Sequence, residues 1–307
     1  MIDHVDLSLT AIVERASIAA KSGADGLWLS QLPNQRDVGL LVAAIAAQTP
    51  EVTIGPAVLP IYQSPPAVMA QVAMTLDEIC GNRLVLGLGR GHRLVGEWML
   101  GGTYSASASS VREYLTIVTS LIRSGEVSMA GSSFESRVFY GAPRRDQLPV
   151  FIGAFGPRML ELAAEIADGV ILWLCTPQYI RDVVAPSLRA GWARRPSGHA
   201  GFEVVTVLPA AVSLQPEQDR EHGRIMLNGY LRMENYKKVL SAIGFGDDVR
   251  SMRPSDALID ALCAIGSEQL LKERIAEYRE VGVTEIAISP LAAEKYLVAT
   301  IESAKAA

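Results

Sequence analysis

The sequence has few cysteines, no cationic block and no long apolar run. Its cysteines, Cys80, Cys175 and Cys263, are too widely spaced for a CxxC element, so neither a zinc site nor a disulfide framework is indicated. No stretch approaches the roughly 20 apolar residues of a membrane-spanning helix. Residues 1–10 lack a cationic segment followed by an apolar one, so no signal peptide is indicated. We therefore expect a cytoplasmic protein that binds no metal.

Acidic residues slightly outnumber basic ones, with 33 Asp and Glu against 28 Lys and Arg and a net charge of −5. Nucleic acids and anionic membranes are therefore not expected as partners. Apolar residues make up 49% of the chain and charged residues 20%, which is ordinary for a globular enzyme with a sizeable core. A small molecule is the expected partner.

Short apolar runs recur along the chain, each followed by a stretch with helical spacing. This alternation is typical of a parallel sheet with crossover helices. Eight runs are predicted to be strands, at residues 5–9, 26–30, 52–59, 84–88, 150–153, 170–174, 204–208 and 285–289. Eight strands close a (β/α)8 TIM barrel, and we predict one such α/β domain over residues 1–307. A doubly wound open sheet is the alternative architecture.

Two segments are too long for ordinary connections, and we predict them as insertions after strands 4 and 7. The first, at 89–148, contains a predicted helix at 111–123 and a turn-rich piece at 131–134 that suggests a hairpin. The second, at 210–266, is predicted to be largely helical, with helices at 227–240 and 254–264. Both follow the C-terminal end of a strand, where barrel enzymes build their sites.

The predicted fourth strand ends in the sequence GLGRGH at residues 87–92. A dinucleotide-binding fingerprint would need a third glycine where His92 stands, so the motif does not support a Rossmann site. A strand end without side chains would let a planar ring approach the backbone, beside a cation and an imidazole. The alternative is that the glycines only relieve crowding in the barrel.

Pro56 and Pro60 flank the apolar run of the third strand. Proline inside a strand normally indicates an edge or a bulge, and a closed barrel has no edge. We therefore predict a bulge, which can re-aim backbone groups beside an active site. The alternative is that the prolines simply mark the ends of the strand.

The fifth strand leads into a helix through the sequence FIGAFGP at residues 151–157. Free amide groups at a helix N-terminus bind anions, so this segment predicts a phosphate site. Glycine and proline also occur in ordinary βα turns, which is the alternative.

Together these segments resemble the bacterial-luciferase-like superfamily, and more closely its branch of reductases that use coenzyme F420, a deazaflavin. The resemblance extends from about residue 24 to residue 289. It is carried by residues 25–31, 54–60, 71–76, 83–92, 112–115, 149–157 and 167–169. Their order and spacing, rather than any single motif, make the resemblance specific.

The resemblance implies where the cofactor binds. It places a non-prolyl cis peptide at Ala57-Val58, behind the central ring of the deazaflavin. It places beside the ring Gly89, Arg90 and Gly91. The implied phosphate site consists of Gly153, Ala154, Phe155, Gly156 and Pro157, with Cys175 and Thr176 beside it.

The resemblance also implies a substrate side. His92 reaches toward the substrate and is the predicted proton donor, because histidine ionises near neutrality. The alternative is that His92 caps a helix or binds the side chain of the cofactor. Gln31 is the second predicted catalytic residue, and Leu32 and Tyr62 are predicted to bind substrate.

The sequence departs from the sugar-phosphate dehydrogenases of this family at two places. Those enzymes end the second strand in Asp-His, where this chain has Gln31 and Leu32, and they carry an acid after the fourth strand, where it has His92. Their alcohol oxidation therefore should not be transferred. The remaining histidines, His4, His199 and His222, are predicted at the surface, and Trp28 and Trp173 in the core.

The function implied by the resemblance is hydride transfer between the C5 carbon of F420 and a small organic substrate, with reduction of a C=C, C=N or C=O bond. An FMN-dependent monooxygenase on the same scaffold is the first alternative, because both ring systems fit one site. The second alternative is a non-catalytic barrel that binds the cofactor or a partner protein. The family resemblance also implies a homodimer.

Overall fold

The structure is a computed structural model that describes residues 1–101, 107–195, 198–291 and 296–307. Its strands are β1 Gly26–Leu29, β2 Thr53–Pro56, β3 Leu59–Pro60, β4 Leu86–Gly89, β5 Glu126–Ala130, β6 Glu135–Phe139, β7 Val150–Gly153, β8 Gly169–Trp173, β9 Glu203–Val212, β10 Ala264–Gly266 and β11 Glu285–Pro290. Its α-helices are α1 Leu9–Lys21, α2 Val38–Ala46, α3 Pro66–Ile79, α4 Ala108–Ser124, α5 Pro157–Ile166, α6 Pro177–Tyr179, α7 Ala185–Trp192, α8 Pro216–Tyr230, α9 Glu234–Ala242, α10 Gly246–Ser251, α11 Asp256–Leu262, α12 Glu268–Glu280 and α13 Leu297–Lys305. Two π-helical turns occur, at Leu94–Met99 and Ile180–Val184.

Parallel strands alternate with helices around a closed barrel, which confirms the predicted (β/α)8 fold. β1 pairs with β2, and a bridge from Ile54 to Leu84 joins β2 to the chain just before β4. The sheet continues from β3 through β4, β7, β8 and β9 to β11, all in parallel register. Because parallel strands end at the same edge, their C-terminal ends meet at one mouth of the barrel.

The first predicted strand, at residues 5–9, is wrong. Asp6 has a left-handed backbone with φ of 55°, and α1 begins at Leu9 with Ser8 as its N-cap. Residues 1–2 take that place in the barrel instead. The Met1 nitrogen donates to the Ile288 carbonyl at 2.5 Å, and the Ile2 amide donates to the Trp28 carbonyl at 2.8 Å. The chain before Asp6 therefore closes the gap between β11 and β1.

Both insertions occur after the predicted strands. The first contains α4 and the hairpin of β5 and β6, as predicted. The second contains four helices, α8 to α11, and the short strand β10, which extends the sheet beside β9. The predicted helix at 227–240 is wrong as one element, because the chain turns at residues 231–233 between α8 and α9.

Two apolar clusters fix the barrel below its mouth. A large one, including Ile45, Leu86 and Leu160, lies between the strands and the surrounding helices. A smaller one is formed by Trp28, Phe151, Ile171, Val205, Val207 and Ala287. Strand residues alternate between faces, so this second set fills the inside of the barrel. Ala57 and Val58 pack against it, which sets the depth of the cavity above.

In the described ranges, no helix is both long enough and apolar enough to cross a bilayer.

We expect Glu113→Gln to loosen the β5–β6 hairpin. The Glu113 carboxylate accepts hydrogen bonds from the amides of Ser132, Ser133 and Phe134, and these bonds lower its pKa. A neutral amide accepts fewer and weaker bonds. Amide hydrogen exchange over residues 126–139 should accelerate in this variant and not in Glu135→Gln, whose carboxylate pairs with Arg137 at the surface. Equal exchange in the two variants would contradict this role.

Candidate active site

A cavity of about 1270 Å³ lies at the C-terminal mouth of the barrel. Ligand pockets are commonly about 300–1,000 Å³, so this cavity is larger than a typical site for one small molecule. Most of the predicted site residues line it, namely Gln31, Leu32, Ala57, Val58, Tyr62, Gly89, Arg90, Gly91, His92, Gly153, Ala154, Phe155, Gly156 and Pro157. The structure therefore brings together segments that are up to 126 residues apart in sequence, from residue 31 to residue 157.

The chain between β2 and β3 leaves the regular strand at Ala57 and Val58. The Ala57–Val58 peptide bond is cis, which confirms the prediction from the family resemblance. The strand is interrupted between Pro56 and Leu59, and Pro56 and Pro60 are the last residues of β2 and β3, which agrees with the alternative that the prolines mark strand ends. Both residues are partly exposed to the cavity, so Val58 forms a shelf in its wall.

Two glycines leave room for the Val58 side chain. A Cβ built at Gly89 would lie 2.4 Å from Val58 Cγ2, and one built at Gly153 would lie 3.2 Å from Val58 Cγ1. Gly89 and Gly153 therefore leave the space that the Val58 side chain occupies, and both also line the cavity. Deeper in the barrel, a Cβ at Gly87 would lie 2.0 Å from the Pro56 carbonyl oxygen, so Gly87 does relieve crowding.

The start of helix α5 presents unpaired amides to the cavity. Gly156 is the N-cap residue, has no side chain to cap the helix, and is followed by Pro157. In the part of the chain that the structure describes, the amides of Phe155, Gly156 and Arg158 have no hydrogen-bond acceptor. The Ala154 amide, by contrast, donates to the Ile171 carbonyl at 3.2 Å. Three free N–H groups and the positive end of the helix dipole together make this helix start the candidate anion site.

Cys175 and Thr176 do not line the cavity. Cys175 is 1% exposed, and its carbonyl accepts a hydrogen bond from the Tyr278 hydroxyl at 3.0 Å. Burial raises the pKa of its thiol to about 12, so the thiol is neutral. Thr176 caps the next short helix by accepting from the Tyr179 amide. The Tyr179 hydroxyl in turn donates to the Phe155 carbonyl at 2.9 Å. These two residues support the anion site from behind rather than forming it.

Cationic groups outnumber carboxylates around the cavity. Among the described residues that line it, Arg90 and Lys238 are cations and Asp3 is the single carboxylate. Asp3 is already paired with Arg15 at 3.3 Å. The buried Nε of Arg90 has no hydrogen-bond partner among the described residues. A buried, unsatisfied donor on a cation favours an anionic ligand at this wall.

His92 lies against aromatic rings. Its ring centroid is 5.7 Å from that of Tyr236, which is 5.0 Å from that of Phe155 and 4.9 Å from that of Tyr230. Burial lowers the pKa of His92 below its usual value of 6.5. The ring is therefore mostly neutral at pH 7. Burial also raises the pKa of Tyr236 far above neutrality, so its hydroxyl stays protonated.

Gln31, after the second predicted strand, and Tyr62, after the third, make different contacts in the cavity wall. The Gln31 amide nitrogen donates to the Leu32 carbonyl at 3.1 Å, and its oxygen accepts from the Val38 amide at 3.0 Å. Both ends of this side chain thus hold their own loop at the start of α2, which favours a positioning role. Tyr62 packs on Gly91, where a Cβ would lie 2.5 Å from the tyrosine ring.

The sequence interpretation missed four aromatic residues and two histidines of the wall, namely Trp173, Tyr179, Tyr230, Tyr236, His4 and His222. Tyr230 and Tyr236 come from the second insertion, where no pattern indicates which helix face meets the barrel. Trp173, predicted in the core, lines the cavity as well. His4 was predicted at the surface, and this is wrong because it is 2% exposed and lines the cavity. His199 and His222 are exposed, as predicted.

No described group of three or more His, Cys, Asp or Glu side chains is arranged to hold a metal ion. The cavity instead combines an amide-rich helix start, an unpaired arginine and an apolar shelf. These features define the class of the protein: a (β/α)8 barrel whose mouth combines hydrogen-bond donors and an apolar surface in one large cavity.

The chain belongs to the luciferase-like monooxygenase family, whose model matches residues 3–285. It is 29% identical over 301 residues to a 5,10-methylenetetrahydromethanopterin reductase from Archaeoglobus fulgidus, covering 91% of this chain and 89% of that protein. It is 30% identical over 217 residues to an F420-dependent glucose-6-phosphate dehydrogenase from Microbacterium testaceum, covering 66% of this chain and 63% of that protein.

Solved structures share the fold. A coenzyme F420 dependent tetrahydromethanopterin reductase from Methanopyrus kandleri superposes with a TM-score of 0.81 at 21% identity, covering 98% of this chain and 94% of that chain. An EDTA monooxygenase from Chelativorans superposes with a TM-score of 0.78 at 14% identity, covering 97% of this chain and 86% of that chain.

Proposed function

We propose that the protein is an F420-dependent oxidoreductase that transfers a hydride between the deazaflavin C5 and a small organic substrate, with reduction of a C=C, C=N or C=O bond. The observation that carries the proposal is that the unpaired amides of α5 and the Val58 shelf face one cavity. The relatives along most of the chain are F420-dependent enzymes, and this supports the choice of cofactor.

The residues present fit this cofactor. Its phosphate is an anion, and the amides of Phe155, Gly156 and Arg158 are donors without acceptors. The unsatisfied Nε of Arg90 offers a further charge-assisted hydrogen bond. Val58 offers an apolar surface together with Ala57 and Ile171, which belong to the same apolar cluster. The cavity thus provides both a tether for the tail and a support for the ring.

When bound, the reduced cofactor supplies the hydride. Residues of the chain bind the cofactor, exclude water and supply the proton. The α5 amides and Arg90 hold the anionic tail, while Val58 supports the ring. Phe155, Tyr230 and Tyr236 form an apolar wall that excludes water from the substrate. His92, at the edge of that wall, holds the proton that accompanies reduction.

We expect reduction by this enzyme to speed up as the pH falls. Only the protonated imidazole donates a proton, and burial lowers the pKa of His92 below 6.5. kcat/KM in the reductive direction should therefore rise as the pH is lowered through that pKa and level off below it, whereas a reaction that uses His92 as a base shows the reverse. His92→Gln should lower the plateau roughly 100-fold or more and remove this limb of the profile. An unchanged profile in His92→Gln would assign the proton to another group.

Fluorescence titration of the purified protein with F420 and, separately, with FMN tests the choice of cofactor. We expect saturable quenching with F420 and weaker binding of FMN. Tight FMN binding without F420 binding would instead support the alternative, an FMN-dependent monooxygenase. A screen of C=C and C=N acceptors with the reduced cofactor then identifies turnover. If His92→Ala and Gln31→Ala together leave every measurable function intact, the non-catalytic alternative is correct.

We also propose, from the family resemblance, that the protein is a homodimer in the cytoplasm. Light scattering of the purified protein should give twice the chain mass of 33.0 kDa. A particle of the chain mass would contradict the dimer without affecting the site.

A further inference from the structure

His4 is a buried histidine with one nitrogen fixed and the other unpaired. Its Nε2 is 2.8 Å from the Ser30 carbonyl oxygen. Its Nδ1 is buried and has no hydrogen-bond partner among the described residues. The side chain belongs to the cavity wall although the residue is 2% exposed. Few buried polar groups in proteins lack a partner, so the unpaired nitrogen requires an explanation.

The hydrogen bond to Ser30 determines the tautomer of the ring. A carbonyl oxygen only accepts hydrogen bonds, so Nε2 must carry the proton and donate it. In the neutral ring, Nδ1 is then an acceptor. A ligand that satisfies it must bring an N–H or O–H group, and a ligand without a donor would leave it unsatisfied.

The position of His4 indicates which ligand meets it. The phosphate site lies after β7 and the Val58 shelf after β2, whereas His4 lies beside Ser30, just past the end of β1. Around the barrel, the order is therefore phosphate site, shelf and then His4. Ser30 immediately precedes Gln31 and Leu32, which also line the cavity. His4 thus lies on the side of the shelf away from the phosphate site.

We propose that His4 is a substrate-binding residue whose Nδ1 accepts a hydrogen bond from the substrate. The substrate therefore carries an N–H or O–H donor in addition to the bond that is reduced. That this ligand is a substrate rests on the proposed function. Whether Nδ1 of His4 accepts a hydrogen bond from a ligand can be tested with or without the cofactor. A hydrogen bond to Nδ1 narrows the substrate class to donor-bearing compounds such as hydroxylated aromatics and N–H heterocycles.

The test compares phenol with toluene, which have nearly the same shape but differ in the O–H donor. The protein has four histidines, so 15N-histidine labelling gives a spectrum that single substitutions assign. We expect phenol, and not toluene, to shift the Nδ1 resonance of His4 in the F420-loaded protein. We also expect phenol to bind roughly 10-fold more tightly than toluene, the effect of satisfying one buried acceptor.

Three variants separate this role from a structural one. His4→Phe keeps the ring shape without an acceptor and should abolish the preference for phenol. His4→Gln places its amide near the Nε2 position, keeps the Ser30 contact and should lose the preference as well. His4→Asn places its amide oxygen near the Nδ1 position and should retain it.

Two results would overturn the inference. One is a His4 Nδ1 resonance that phenol leaves unchanged up to its solubility limit, which would indicate a structural water as the partner. The other is a preference for phenol that survives in His4→Phe. The titration with F420 is separate: a protein that fails to bind F420 but still shows the phenol shift refutes the proposed function and keeps the acceptor.

Discussion

Gly156→Asp should abolish F420 binding while leaving the barrel at least as stable as the parent. Gly156 has φ of −87° and ψ of 146°, which any residue adopts, and a Cβ there would meet nothing within 4 Å. Aspartate is a preferred N-cap residue and would accept a hydrogen bond from the amides of α5. The new carboxylate would occupy the donors that the phosphate needs and repel its charge.

The expected size of this effect is large. A hydrogen bond to a charged group contributes about 1.5–3 kcal/mol, so losing more than one of them weakens F420 binding about 100-fold or more. The same aspartate should raise the melting temperature slightly, because it caps the helix and interacts with the helix dipole. Fluorescence titration and thermal unfolding measure the two changes on one sample.

Gly156→Asn is the matched control. Asparagine has the same shape and also caps helices, but it brings no charge. It should therefore weaken F420 binding less than aspartate does. If Gly156→Asp binds F420 as tightly as the parent, the α5 amides do not hold the phosphate. Equal losses in both variants would mean that the side chain blocks the site by volume and not by charge.

Gly89→Ala should weaken F420 binding by displacing the Val58 shelf. The new methyl would lie 2.4 Å from Val58 Cγ2, a distance at which one of the two groups must move. Overpacking of this kind costs about 1–3 kcal/mol. Because the free side of Val58 faces the cavity, the displaced side chain enters the space of the ring, and binding should fall roughly 10-fold to 100-fold.

Two further variants test this explanation. Gly153→Ala places its methyl 3.2 Å from Val58 Cγ1, a contact that needs only a small adjustment, so its effect should be smaller. Val58→Ala removes the clash, so the double variant Gly89→Ala/Val58→Ala should bind F420 better than Gly89→Ala alone. A double variant that is worse by the sum of both single losses would show that the two positions act independently.

The sequence predicted the barrel because its pattern is strong from residue 26 onward. Each strand there is a short apolar run, and glycine or proline marks its ends. The spacing of apolar residues and the positions of glycine and proline therefore indicate the same strands. The start of the chain failed for a physical reason. Residues 5–9 have the apolar alternation of a strand, but Ser8 caps a helix that begins at Leu9. His4 directly precedes that predicted strand, and its position at the surface was predicted wrongly as well.

The backbone parts of the site were more predictable than the side-chain contacts. Prolines around the third strand indicated where its regular structure breaks, and the sequence FIGAFGP indicated the start of α5. The seat of Val58 between Gly89 and Gly153 depends on the distance between three strands, which no local pattern encodes. The same holds for Cys175, which is buried and whose carbonyl accepts a hydrogen bond from the distant Tyr278.

The central claim is that one slot holds both ends of F420, with its phosphate at the α5 amides and its ring on Val58. A crystal structure of the protein with F420 measures this directly. We predict phosphate oxygens within hydrogen-bonding distance, roughly 2.7–3.2 Å, of the amides of Phe155, Gly156 or Arg158, and the ring in contact with the Val58 side chain. A phosphate bound elsewhere, or a ring that does not contact Val58, would contradict it.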